Sequence, residues 1–141
     1  PEQLRDEHVA WSEAYANALA PSKPPKKRTG GGRLRVGYVF GEFRSRAAGE
    51  FVRALLAHHD RARFHVTAYA NAAHRHVEGD ELRRLADAWH AVANWSDGKL
   101  ADAIRADEID VLVDLHGHTV GNRLLAFARK PAPAQVSLFG Y

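Results

Sequence analysis

Residues 109–119, Ile-Asp-Val-Leu-Val-Asp-Leu-His-Gly-His-Thr, run a hydrophobic strand directly into a polar turn. Ile109, Val111, Leu112, Val113 and Leu115 form a nearly continuous apolar run, partly β-branched. A strand with one wet face alternates, so this run reads as a central parallel strand covered on both faces. Beyond the turn, Leu124, Leu125 and Ala128 fall at helical spacing and predict a helix from about Val120 to Ala128, with Thr119 as its N-cap. Pro131 and Pro133 end that helix, and Gln135 to Phe139 read as the next strand. The turn therefore falls at the carboxyl end of a strand and the amino end of a helix. Open α/β sheets gather their ligand loops along that edge, and an anion there meets backbone N–H groups and the helix dipole.

Upstream, strands and helices alternate from residue 33 onward. Leu34–Phe40 and Phe64–Ala70 read as strands, with a helix over Ala47–His59 that turns Phe51, Val52, Leu55 and Leu56 inward. A helix over Glu78–Ala88, a short strand about Ala91–Asn94 and a helix over Asp97–Ala106 complete the pattern. The fold class predicted is α/β and Rossmann-like, a parallel sheet of about five strands with helices on both faces.

Three segments divide the chain. Residues 1–19 carry Leu4, His8, Trp11, Tyr15 and Leu19 at spacings of three and four, an amphipathic helix with an aromatic face. Residues 20–32 form a Pro/Gly linker, and residues 33–141 the α/β unit. The stretch 20–33 holds Lys23, Lys26, Lys27, Arg28 and Arg33, and without these five the formal charge of +3 becomes negative. The basicity thus belongs to a solvated spacer, and nucleic acid is not expected as a partner. Absence of Cys excludes a disulfide framework and thiolate metal sites. No apolar run approaches a membrane span and no signal-peptide core precedes the first helix, so a soluble cytoplasmic protein is expected.

The residues around the turn extend into a long block. Asp114, Leu115, Gly117, His118, Thr119, Asn122, Arg123 and Leu124, then Phe127, Ala128, Arg129, Pro131, Ala132, Pro133, Gln135, Val136, Gly140 and Tyr141, match D-L-x-G-H-T-x-x-N-R-L followed by F-A-R-x-P-A-P-x-Q-V and G-Y. This block resembles the catalytic region of the O-GlcNAc transferase and SPINDLY-like protein glycosyltransferases, and the likeness covers about residues 33–141. The resemblance implies the amino-terminal Rossmann-like half of a GT-B enzyme. It implies a sugar moved with inversion from a nucleotide-diphosphate donor, UDP-GlcNAc first and GDP-fucose in SPINDLY-like relatives, to Ser or Thr hydroxyls of proteins. No cofactor and no metal are expected. The carboxyl-terminal half, with most nucleotide-sugar contacts, is expected beyond Tyr141, so the 141 residues alone are expected to be inactive. The first helix is expected to be a connector or the tail of a TPR array, although no 34-residue period is present.

In the same terms, His118 faces the catalytic cleft as a base or phosphate ligand. Gly117 allows close approach of a ligand. Thr119 is a cap or a phosphate donor, and Arg123 an ion-pair partner or an anion clamp; with Asn122 they are candidate substrate-binding residues. One loop departs from the pattern. The family reads G-Y-V-S-x-D-F-x-x-H after the first strand, whereas this chain has Phe40 for the Ser, Glu42 for the Asp and Arg46 for the His. An arginine stays protonated near neutral pH and cannot be a general base, but it can hold a phosphate.

Two rival readings stand beside this one. His116-Gly117-His118 also fits a strand-borne metal pair of a hydrolase, although residues 119–141 offer no Asp, Glu or His to complete it. A half-domain that binds protein segments without transferring sugar is the other.

Overall fold

A computed structural model describes residues 2–23, 25–41, 46–72 and 77–138, without the side chains of 46, 47 and 77–79. Five parallel strands run β1 (Leu34–Gly41), β2 (Phe64–Asn71), β3 (Ala88–Ala91), β4 (Val111–Asp114) and β5 (Ala134–Ser137), in the spatial order β3-β2-β1-β4-β5. Helices α2 (Arg46–Ala57), α3 (Val77–Arg84), α4 (Asp97–Ala106) and α5 (Leu124–Ala128) join them, and α1 (Glu2–Trp11) comes first, followed by a π turn and a 3-10 turn ending at Leu19.

The pleat of β1 separates two cores. Val36, Tyr38 and Phe40 point to one face and pack with Val66, Ala68, Val52 and Leu56 of α2, and Leu82 of α3. Val39 points to the other, with Tyr69, Leu112, Leu100 and Ile104 of α4, and Phe127 of α5. Gly37 shares that second face, where a Cβ would sit 3.1 Å from Ile109, Leu112 and Tyr69 atoms at once. The sheet is therefore a Rossmann-like layer between two helical layers, as the apolar runs predict.

Several boundaries differ from expectation. α3 ends at Arg84, and β3 occupies 88–91 instead of 91–94. Asp87 sets that start: its carboxylate accepts from Val66 N–H, Arg61 and Arg33, and its own N–H donates to Val66 O, which commits the chain to the sheet. The predicted strand 109–115 is trimmed to 111–114, with Leu115 N–H still donating to Val39 O. The predicted helix 120–128 begins only at Leu124, because side chains take over the backbone groups of 116–122, as described below.

Helix α1 does not bury its whole apolar stripe. Leu4 and Tyr15 are exposed, whereas His8 and Trp11 are half-buried and Ala16 is buried in the turn that meets α5. The described linker residues are mostly exposed, with one anchor: Arg28 donates to the Asp110 carboxylate at 3.1 Å and to Arg33 O, so the linker lies along the domain at that point. No helix among the described residues is long and apolar enough to cross a membrane.

Candidate functional site at the carboxyl edge of the sheet

Asp114, the last residue of β4, organises the loop that follows. It is buried, and its two oxygens accept from the N–H groups of His116 at 2.9 Å and Gly117 at 3.1 Å. An Asp that captures the N–H two residues on forms an Asx turn, which draws the backbone away from helix. Gly117 continues the turn at φ +58°, a conformation that resists a Cβ, and Gly121 does the same at +81°. Thr119 Oγ1 donates to His116 O at 2.8 Å, and Asn122 bridges Thr119 O and the N–H of Leu124. Thr119 is thus not the helix N-cap; Asn122 takes part of that duty from two residues before the helix, while Arg123 stands at the N-cap position with no side-chain bond to the helix. With only five residues, α5 also lacks the long dipole that the sequence pattern suggests.

His116 turns inward. Its Nδ1 accepts the N–H of Gly41 at 3.2 Å, and its Nε2 lies 3.0 Å from Val120 O, where it must donate. Both ring nitrogens are thereby spent on tying the end of β1 to the loop, and as placed the ring offers no lone pair to a metal ion. Among the described residues no three His, Asp or Glu side chains converge to hold one.

His118 turns outward, to the rim. Its ring lies 4.1 Å from that of His8 and 6.4 Å from that of Trp11, both on α1. Partial burial, and then the neighbouring His8, push its pKa below the ordinary imidazole value, against the opposing pull of Asp114. A base held mostly neutral is the form that accepts a proton.

Arg123 is buried, with its guanidinium spread over four acceptors. Nε donates to Asp97 at 2.7 Å, Nη1 to Asn71 Oδ1 at 3.2 Å and Val92 O at 3.3 Å, and Nη2 to Trp95 O at 2.8 Å. It braces the ends of β2, β3 and α4 against the loop and presents no face to a ligand. Asn71 joins the same brace by donating to Gly121 O at 2.7 Å. The loop thus gathers Gly117, His118, Thr119 and Asn122 on one edge, with Arg123 beneath them. Arg46 opens α2 just past the end of β1, but its side chain, like residues 42–45 before it, lies outside the described residues.

Sequence reasoning missed Asp114, Asn71 and Gly41 as parts of this edge. Asp114 left a signal, since Asp two residues before a His-Gly pair at a strand end is an Asx-turn pattern. Asn71 and Gly41 left none, because their partners come from far along the chain.

Fold and edge together define a Rossmann-like α/β half-domain whose candidate ligand loop follows the fourth strand. The chain belongs to glycosyl transferase family 41, whose model matches residues 16–141. It is 28% identical over 143 residues to the probable UDP-N-acetylglucosamine–peptide N-acetylglucosaminyltransferase SPINDLY of Arabidopsis thaliana, covering 99% of this chain and 14% of that protein. It is 34% identical over 116 residues to the UDP-N-acetylglucosamine–peptide N-acetylglucosaminyltransferase of Caenorhabditis elegans, covering 79% of this chain and 10% of that protein. Among solved structures, the K341M mutant of the Thermobaculum terrenum O-GlcNAc transferase superposes with a TM-score of 0.82 at 39% identity, over 94% of this chain and 26% of that one. The 141 residues therefore span a small part of each of these relatives.

Proposed function

We propose that these residues are the amino-terminal Rossmann-like half of a GT-B catalytic region, and that the protein carrying them is cytoplasmic and transfers GlcNAc from UDP-GlcNAc to Ser or Thr hydroxyls of proteins. Support comes from membership of family 41 and from the activity for which its relatives are named. In this reading residues 1–19 are a connector or the tail of a TPR array, 20–32 a linker and 33–141 the half-domain, with the remaining donor contacts supplied by a carboxyl-terminal half.

The observation that carries the site assignment is His118 at the rim of the carboxyl edge, on a loop locked by Asp114, with its pKa depressed. In the transfer step the acceptor oxygen attacks the anomeric carbon, the bond from that carbon to the diphosphate breaks, and UDP leaves with the electron pair. The hydroxyl proton goes to the imidazole of His118. Gly117, Thr119 and Asn122 hold the loop that presents this ring. Arg46 serves as a phosphate ligand where the family pattern has a histidine.

The test uses a longer protein that contains this segment and the downstream half, assayed with labelled UDP-GlcNAc and acceptor peptides. His118→Ala is expected to lower kcat/KM by roughly 10²-fold, the scale of a lost general base. Arg46→His is expected to raise activity, and the 141-residue chain alone to show no turnover. Full activity in His118→Ala removes that residue from the chemistry, and turnover by the short chain ends the two-half reading. Labelled GDP-fucose in parallel decides the donor.

A further inference from the structure

At the opposite edge of the sheet, where β4 and β5 begin, the linker and the domain line an open cavity of about 490 Å³. Pro21, Pro25 and Lys23, Lys26, Lys27 and Arg28 form one wall, and Arg105, Lys130, Pro131 and Pro133 contribute to the other. Two acids line it, and both are engaged: Asp110 by Arg28 and by the N–H of Arg35, and Glu108 by the guanidinium of Arg35 at 3.3 Å. Arg105 is held by Asp102 and Arg129 O. Among the described residues, Lys23, Lys26, Lys27 and Lys130 have no ion-pair partner, and the Nε–H of Arg28 is buried with no acceptor. The cavity is thus a concave site with unspent positive charge.

Lys130 stands out in a second way. It follows α5 at φ +46°, the left-handed position where helices ordinarily place glycine. A lysine there is strained, yet it adds a domain residue's ammonium to a lining that also holds the linker lysines.

We propose that this cavity binds an acidic peptide segment. Its volume lies in the range of ligand pockets. Proline rings and lysine stems line it without any aromatic side chain, so it lacks the stacking surface that single-stranded nucleic acid uses. Flexible ammonium groups spaced along an irregular linker suit successive carboxylates on a peptide chain. The choice of a peptide over other polyanions rests on the proposed action on proteins. The site would then hold acceptor proteins far from the reacting hydroxyl.

Binding is measured without donor or transfer, so it fails or succeeds independently of the catalytic reading. The probe is a fluorescein-labelled ten-residue peptide rich in Asp and Glu, followed by anisotropy against the 141-residue chain, with a Ser/Gly peptide and a single-stranded oligonucleotide of equal charge as comparisons. Saturable binding that weakens with salt is expected for the acidic peptide. Lys130→Gly is expected to weaken it about fivefold or more while leaving Tm unchanged or higher, because glycine relieves the left-handed strain. Lys26→Ser with Lys27→Ser is expected to weaken it similarly, and Arg83→Ser with Arg84→Ser, exposed on α3, to leave it within twofold. No saturable binding, equal loss from the α3 variant, unchanged affinity in Lys130→Gly, or tighter binding of the oligonucleotide would each overturn the proposal.

Discussion

Arg123→Ala separates a brace from a ligand clamp. The substitution removes donors from Asp97, Asn71 Oδ1, Val92 O and Trp95 O. The three neutral acceptors lose a net contribution of roughly 0.5–1 kcal/mol each once water reaches part of the gap. Asp97 is 30% exposed, so solvent recovers much of the ion pair and its loss adds about 1 kcal/mol. The sum is about 3 kcal/mol, or a Tm lower by roughly 6–12 °C for a chain of this size. Thermal unfolding by circular dichroism reads it directly. Arg123→Lys, which keeps the charge but not the fork, is expected to recover less than half of the loss. A Tm within about 2 °C of the parent would refute the brace, since four stranded acceptors cannot be that cheap. Loss of donor affinity in the longer protein at unchanged Tm would restore the clamp.

Gly41→Ala would place a Cβ 2.4 Å from Cε1 of His116, whose ring is fixed by bonds at both nitrogens; a loss of about 1–3 kcal/mol in urea unfolding is expected, and an unchanged midpoint would show that the ring moves freely. Acidification should weaken the fold from pH 6.5 downward. His59, His65 and His118 all have pKa values pushed below the ordinary 6.5, chiefly by burial, so the unfolded chain takes up protons first and stability falls until the folded values are passed. Proton NMR titration of the three rings checks the direction, and midpoints above 6.5 would contradict it. Tyr69→Phe is expected to cost about 1–2 kcal/mol by stranding the Asp107 carboxylate, to which the buried phenol donates at 2.7 Å; denaturation equal to the parent would mean that His90 alone satisfies that carboxylate.

The strands and the two-faced sheet were legible because burial on both sides leaves an apolar run, as in Val36–Phe40 and Val111–Val113. α4 was legible to the residue, since Ser96 caps it by accepting from Lys99 N–H, and its pattern runs without interruption to Ala106. The turn at 116–119 was legible, but 120–123 were misread as helix because Asp114, Thr119 and Asn122 bond to the backbone, and such bonds leave no mark in hydrophobic spacing. Arg123 was left between ion-pair partner and anion clamp because its acceptors come from residues 71 to 97, which only the sheet order brings together. Docking of His8 and Trp11 against His118 was hidden for the same reason.

The strand order also sets a sequence of events during synthesis. β1 finds β2 after one helix, but its other neighbour is β4, and the ties between them join residues 75 positions apart. Until residue 114 has left the ribosome, the second edge of the most apolar strand has no partner, and the face that α4 and α5 will cover lies bare. Contacts of such long range are slow to form. A nascent chain paused between β3 and β4 therefore offers a straight, hydrophobic strand edge to any neighbour on the same message, and aggregation there competes with folding.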